Sequence, residues 1–293
     1  MSGHTRPLAT TVELARAADA AGFDVVFVDG DEAAIPRRPG AALYDGFALQ
    51  GAALAATSRA RVASIRLPGF AHPVQLARAL ATLQVASAGR AVGFFGVGSG
   101  RSVASLGLPR LSARERITWL DETLPLLRAL WKGAPVSHVG RHVRVAGATA
   151  PVPGTPLPLV VAAGRPHALE VALRHADAWD ANVPPLRRCL EPLRERMDRP
   201  LETWLWIFAR PGASEAEAVA SFRRHCPWFP ELEPGEYRRA LLYGDPAGWA
   251  ERVAGLREEL AIDLPVLDLM GLDTRAALRA IGAFEAAEGL GLP

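Results

Sequence analysis

The sequence predicts an α/β fold, a (β/α)8 barrel of TIM type whose first strand is missing or degenerate, and three observations carry that reading. From residue 10 onward, amphipathic helical segments alternate with short β-branched or aromatic runs, the pattern of a parallel sheet with crossover helices. The unit repeats roughly every 30 to 40 residues, and 293 residues accommodate a barrel of about 250. No polar linker divides the chain: the Pro151–Pro158 stretch is short and leads straight into a strand, so residues 1–293 read as one barrel domain. A doubly wound open sheet is the competing architecture.

The elements follow in order. Thr10 with Glu13 three residues on reads as a capping box, Leu14, Ala15 and Ala18 form the apolar stripe of a first helix, and Gly22 closes it in a left-handed cap. Phe23–Val28 then reads as a buried strand. A helix over Asp45–Thr57 precedes the strand Arg61–Ile65, and one over Pro73–Ser87 precedes Ala91–Val97. Next come a long helix over Ser112–Trp131, a β-hairpin over Pro135–Val145, a strand over Leu157–Ala162, a helix over Pro166–His175 and a short strand over Ala178–Asn182. The last third adds a strand at Thr203–Phe208, a helix at Ser214–His225, another opening at Asp245–Pro246, and the strand Leu264–Met270. These make seven strand candidates where a barrel needs eight, and Ser2–Ala9 contains no apolar run to supply a strand ahead of the first helix.

Composition narrows the function classes. The chain is 49% hydrophobic and 22% charged, an ordinary globular balance that excludes a disordered or collagen-like protein. Its 33 basic and 31 acidic residues nearly cancel and form no basic stripe, so nucleic acid is not an expected partner. Two cysteines, Cys189 and Cys226, supply neither a disulfide framework nor zinc-site spacing. No signal-peptide core or membrane-length apolar run occurs, and the expectation is a soluble cytoplasmic protein without a metal.

In a barrel the chemistry collects at the C-terminal ends of the strands, so those ends carry the candidates. Asp29-Gly30-Asp31-Glu32 puts three carboxylates within four residues, an acid/base or metal-binding possibility set against a solvated acidic loop. His72, just ahead of the helix-opening Pro73, is placed either to donate to a substrate oxygen or to cap the helix. Gly96-Val97-Gly98-Ser99-Gly100 ends a strand without the spacing of a dinucleotide fingerprint or a phosphate-loop lysine. Its glycines either admit a flat ring or pack a crowded rim, while Ser99 and Arg101 offer a hydroxyl and a cation. Gly164-Arg165-Pro166-His167 is the anion candidate, because a helix start with an adjacent guanidinium suits a phosphate. No serine or cysteine sits in a nucleophile elbow, which argues against a hydrolase.

Several of these segments together resemble the bacterial luciferase-like flavin-dependent monooxygenase superfamily. They are Ala71-His72-Pro73-Val74, Leu76–Leu83, Ser87-Ala88-Gly89-Arg90 and Gly96–Gly100, followed by Leu130-Trp131-Lys132-Gly133, Gly140–Val143, Val160–Gly164 and Ala176–Trp179. Glu13–Val28 and the Gly244-Asp245-Pro246 helix start extend the likeness over most of the chain. The resemblance implies a usually dimeric barrel binding FMN or the deazaflavin coenzyme F420. It implies the cofactor phosphate at Gly164, Arg165 and His167, with Ser99 and Arg101 near the cofactor, and Ser64 beside a non-prolyl cis peptide against the flavin ring. Where relatives carry a histidine past the strand ending at Val28, this chain has acidic residues, with Asp31 the nearest replacement.

The function expected on this basis is a two-component monooxygenase that takes reduced FMN from a separate NAD(P)H-dependent flavin reductase and oxygenates a small organic substrate, with His72 and Asp31 as proton relays. An F420-dependent reductase or dehydrogenase is the alternative on the same fold. A non-catalytic flavin-binding relative and a metal-dependent barrel hydrolase built on the acidic loop are two more distant ones. Phe70, Trp179, Trp204, Trp206, Trp228 and Phe229 either line a substrate pocket or belong to the core.

Overall fold

Seven parallel strands curl into the staves of a barrel that does not close among the described residues. The computed structural model describes residues 7–30, 44–98, 107–181, 195–197, 201–226 and 232–285. The elements are α1 (Leu8–Ala20), β1 (Val25–Val28), α2 (Gly46–Ala56), β2 (Arg61–Arg66), α3 (Pro73–Ala86) and β3 (Ala91–Gly96), then α4 (Ala113–Leu130) and the antiparallel hairpin β4 (Val136–Val139) and β5 (Arg144–Ala148). There follow β6 (Leu159–Ala162), α5 (Pro166–His175), β7 (Ala178–Asp180), β8 (Glu202–Pro211), α6 (Glu215–His225), α7 (Pro234–Ala240), β9 (Leu241–Gly244), α8 (Trp249–Leu260), β10 (Leu264–Asp268) and α9 (Thr274–Gly282).

The staves run β1-β2-β3-β6-β7-β8-β10, all parallel. Phe208 of β8 pairs with Asp268 of β10 and also with Leu241 of β9, and a strand has only two edges. β9 therefore lies on the β7 side, above the three-residue β7, and extends the sheet beyond the barrel wall. The seven sequence-read strands are the seven staves, and β1 and β10 are left as the two ends of the row.

Side-chain alternation sorts the strands into an inside and an outside. Ala63, Ile65, Val92, Phe94, Val160, Ala178, Trp204 and Leu264 fill the barrel interior, with Val25, Phe27 and Val266 against them. The opposite faces pack under the helices, in one cluster beneath α3, α4 and α5 and another beneath α1, α2, α8 and α9. Trp179 and Trp204 are fully buried and belong to this core. No helix among the described residues is long and apolar enough to cross a membrane.

Several sequence expectations are corrected at element ends. α1 starts at Leu8 after Pro7, and Thr10 donates its backbone N–H to Pro7 O, so Thr10 lies inside the helix rather than capping it. Gly22 does take the left-handed conformation, at φ 87°. α7, β9 and α9 were not anticipated. β9 follows α7 without an intervening turn residue, and four residues are too few to show a period.

One buried carboxylate ties α1 to the start of β2. Asp19 accepts from Ser58 N at 2.8 Å, Arg59 N at 3.0 Å, Ala60 N at 2.7 Å and Ser58 Oγ at 3.0 Å. Burial pushes the carboxyl pKa up, but the backbone N–H groups and the Ser58 hydroxyl outweigh it and lower it from 3.8 to about 2. A folded-state value below the unfolded one stabilises the fold above about pH 4 and ceases to do so as the pH falls toward 2. Asp19→Ala is expected to cost about 1–2 kcal/mol at pH 7, allowing for solvent screening, and almost nothing near pH 2. Urea unfolding at the two pH values measures the difference.

Candidate active site

Because every stave is parallel, the loops after β1, β2, β3, β6, β7, β8 and β10 converge on one mouth, and the described candidates lie there. The Gly164–His167 turn opens a helix where expected. α5 begins at Pro166 after Arg165, with no side-chain hydrogen bond capping it, and Gly164, Arg165, Pro166 and His167 are all exposed. A Cβ built on Gly164 meets nothing within 4 Å, so the approach to the helix start is open. By contrast α2, α3, α4 and α6 are each capped by a side chain, Asp45, His72, Ser112 and Ser214. The unfilled N-terminal N–H groups, the positive end of the helix dipole, the Arg165 guanidinium and the His167 ring together fit a phosphate.

His72 is the N-cap of α3. Its Nδ1 accepts from Val74 N at 3.3 Å while its own N–H donates to Gln75 Oε1 at 3.4 Å. The side chain is exposed on the mouth rim, and with Nδ1 as acceptor the neutral ring carries its proton on Nε2. Ser64 is 1% exposed, and its parity differs from that of the inward-facing Ala63 and Ile65. Its hydroxyl donates to Asp29 O at 2.8 Å and accepts from Arg66 Nη1 at 3.1 Å. Peptide bonds are trans throughout the described residues, which corrects the cis bond implied beside Ser64. β2 is paired on both edges there, Ser64 with Val28 and with Gly93, which holds it in the extended ladder. Asp31, Ser99 and Arg101 lie outside the described residues.

Ser64 belongs to a buried network that fixes the end of β1. Arg66 is fully buried, lies over the Phe47 ring at 3.8 Å and donates from Nη2 to Gln50 Oε1 at 3.0 Å. Gln50 in turn donates to Val62 O at 2.8 Å and Val92 O at 3.0 Å, spanning two strands. Gly30 is pressed onto this cluster: a Cβ there would stand 2.0 Å from Ile65 O and 2.9 Å from both Arg66 Nη1 and Ser64 Oγ. Gly30→Ala must push backbone away, and is expected to cost about 2–3 kcal/mol. Trimming Arg66 in the same chain is not expected to restore the loss, since the closest contact is a main-chain oxygen. Thermal melts of the single and double variants test this.

The glycines ending β3 meet protein. A Cβ on Gly96 would stand 2.8 Å from Ile65 Cδ1, and one on Gly98 would stand 3.1 Å from Leu67 Cδ1 with φ at +65°. Arg116 of α4 holds both flanks of the segment that follows, donating to Val97 O at 2.9 Å, Gly98 O at 3.1 Å and Leu111 O at 2.6 Å. Arg116→Ala is expected to lower stability by about 1–2 kcal/mol and to weaken any ligand held from residues 99–106. Denaturant unfolding and ligand titration read the two effects separately.

Sequence reasoning named Asp29 only within the acidic loop and missed the inward Asp180 and Asp268. Asp29 follows β1 with the parity of Val25 and Phe27, Asp180 ends β7 with that of Ala178, and Asp268 ends β10 with that of Leu264 and Val266. Asp180 is 1% and Asp268 7% exposed. Burial pushes the Asp268 carboxyl above the ordinary carboxylate range. The Asp29 charge pushes it the same way, while the Met270 N–H at 2.8 Å and Arg210 act against both. The shift favours the protonated form of Asp268, and two carboxyl groups at one mouth are a candidate site for proton transfer. Their signal was position, a polar residue ending an apolar strand.

The sequence model of the luciferase-like monooxygenase family matches residues 1–264. The F420-dependent glucose-6-phosphate dehydrogenase of Beutenbergia cavernae is 38% identical over 167 residues, 55% of this chain and 49% of that protein. The enzyme of the same name from Nakamurella multipartita is 33% identical over 203 residues, 64% of this chain and 59% of that protein. The chain thus spans about half the length of these relatives. Among solved structures, an F420-dependent secondary alcohol dehydrogenase superposes with a TM-score of 0.78 at 19% identity, over 97% of this chain and 95% of that one, a likeness of fold.

Proposed function

The chain belongs to the luciferase-like monooxygenase family, and from that premise we propose that it is an F420-dependent dehydrogenase that oxidises a hydroxyl-bearing carbon of a small organic substrate. One observation carries the choice between hydride transfer and oxygenation: the relatives at 38% and 33% identity are both named F420-dependent glucose-6-phosphate dehydrogenases. F420, when bound, supplies the acceptor for the hydride. The flavin reductase expected as electron supplier belongs to the oxygenase reading and has no part in this one.

The chain's own residues bind, orient and handle one proton. Gly164, Arg165 and His167 hold the cofactor phosphate at the open start of α5, through backbone N–H groups and the Arg165 guanidinium. Asp29 takes the substrate hydroxyl proton on its carboxylate. Burial favours the protonated form of the neighbouring Asp268. The Ser64, Arg66 and Gln50 network fixes the backbone from which Asp29 projects. His72, with Nε2–H at the rim, is a donor to substrate oxygen at the entrance. Fluorescence titration with F420 and separately with FMN tests the assignment. Micromolar or tighter binding of F420, with FMN at least tenfold weaker, supports it, whereas tighter binding of FMN returns the site to the oxygenase reading.

A further inference from the structure

α4 and α5 end beside an open cavity on the side of the barrel away from the mouth. α4 starts at the mouth, where Arg116 holds Val97 O and Gly98 O, and reaches the start of β7 with Arg128, which donates to Asp177. α5 runs the same way for ten residues, so its last residue, His175, lies roughly 15 Å from the Gly164–His167 turn. Where the two helices end, Arg128, Lys132, Arg174, His175 and Asp177 line a space of about 350 Å³. Three cations meet one carboxylate in that lining.

The nearby carboxylates are already committed, and they fix the guanidinium groups. Asp177 Oδ2 accepts from Leu159 N at 2.7 Å and from Arg128 Nη2 at 2.8 Å, and the same Nη2 donates to His175 O at 3.1 Å. Asp121, one turn before the cavity-lining Pro125, accepts from Arg174 Nη1 at 3.0 Å and from His175 Nε2 at 2.8 Å. Capping of helix carbonyls accounts for Arg128 Nη2 on His175 O and for Arg174 Nε on Glu170 O at 3.2 Å. Arg128 Nε and Nη1, Arg174 Nη2 and the Lys132 ammonium are left without a hydrogen bond or ion pair among the described residues. All three side chains are partly exposed, so these donors are open to a ligand.

We propose that this cavity binds a phosphate group, free or as the ester of a small metabolite, between Arg128, Lys132 and Arg174. A phosphate carries close to two negative charges at neutral pH, which the excess of three cations over one carboxylate matches. Its oxygens take the Nε and Nη1 edge of Arg128, Nη2 of Arg174 and the ammonium of Lys132 as charge-assisted donors. Asp177 and Asp121 hold the two guanidinium planes beforehand, so binding orders chiefly the Lys132 side chain. The volume lies within the range of about 300–1,000 Å³ that holds small molecules, which leaves room for an organic portion. The occupant ties the end of α4 to the end of α5, a helix that opens at the mouth, and so has the position of an effector rather than of a substrate.

Lys132 is the only lysine in the sequence, so reductive methylation with carbon-13 formaldehyde labels it and the terminal amine alone and keeps both charges. Inorganic phosphate and glycerol 3-phosphate are titrated separately into the labelled protein at constant ionic strength. The Lys132 methyl resonance, assigned by its disappearance in Lys132→Arg, is expected to shift and saturate, with half-saturation at about 1 mM or below. The same titration in Arg165→Gln should be unchanged, because that variant alters only the turn at the mouth. In Arg174→Gln half-saturation is expected to rise about tenfold, with melting as the folding control. Whichever probe saturates first identifies the occupant as free or esterified phosphate. A shift that never saturates, one that sodium chloride reproduces, or one that Arg165→Gln removes would each overturn the assignment.

Discussion

Asp29→Asn is expected to lower kcat about 100-fold, the usual size of a general-base contribution, while leaving cofactor affinity within about twofold. Asparagine keeps the shape and the backbone, whose carbonyl accepts from Ser64 Oγ at 2.8 Å, and removes only the group that takes the proton. The partner variant separates catalysis from structure. Asp268→Asn imitates the neutral form that burial favours, so it retains activity at low and neutral pH. It also removes the change in rate that accompanies Asp268 ionisation in the parent protein. A pH–rate profile of the parent and both variants decides the roles. Equal losses at every pH in the two variants would reduce the pair to a structural contact.

Arg165→Glu is expected to weaken cofactor binding about 100-fold, close to 2.8 kcal/mol. The charge-assisted bond to phosphate disappears and a like charge takes its place at the start of α5. Arg165 is exposed and caps nothing with its side chain, so melting should change little. Arg165→Gln, which deletes the charge without reversing it, is expected to lose roughly tenfold. Titration of F420 into the three proteins, with melting as the folding control, reads the series. A fall in melting that parallels the fall in affinity would mark the residue as structural.

Where local chemistry and packing agree, the elements could be read directly. α5 has the expected bounds because Pro166 opens it and Ala176 ends it before an apolar strand. α2 and α4 differ from expectation only by the capping residues Asp45, Thr57, Ser112 and Trp131, which flank them instead of joining them. Legibility failed where a signal was short or depended on register. β9 gave four residues and no turn. β2 is buried along nearly its whole length, so hydropathy carries no alternation from which the direction of Ser64 could be told. For the same reason the inward aspartates were invisible: whether Asp180 and Asp268 face the interior follows from strand pairing, which a single chain of letters does not contain. The helix start at Pro166 was legible because a glycine, an arginine and a proline at a strand-to-helix junction constrain the backbone locally.

Hydride transfer to F420 from a hydroxyl-bearing carbon is read on the cofactor itself. The most direct measurement is anaerobic turnover: the absorbance of oxidised F420 is followed with purified protein while glucose 6-phosphate and a panel of secondary alcohols are added one at a time. Substrate-dependent loss of that absorbance, slowed about 100-fold in Asp29→Asn and unaffected by the later admission of air, is the expected result. Stable absorbance with every alcohol, together with oxygen-dependent product formation from reduced FMN, would contradict it.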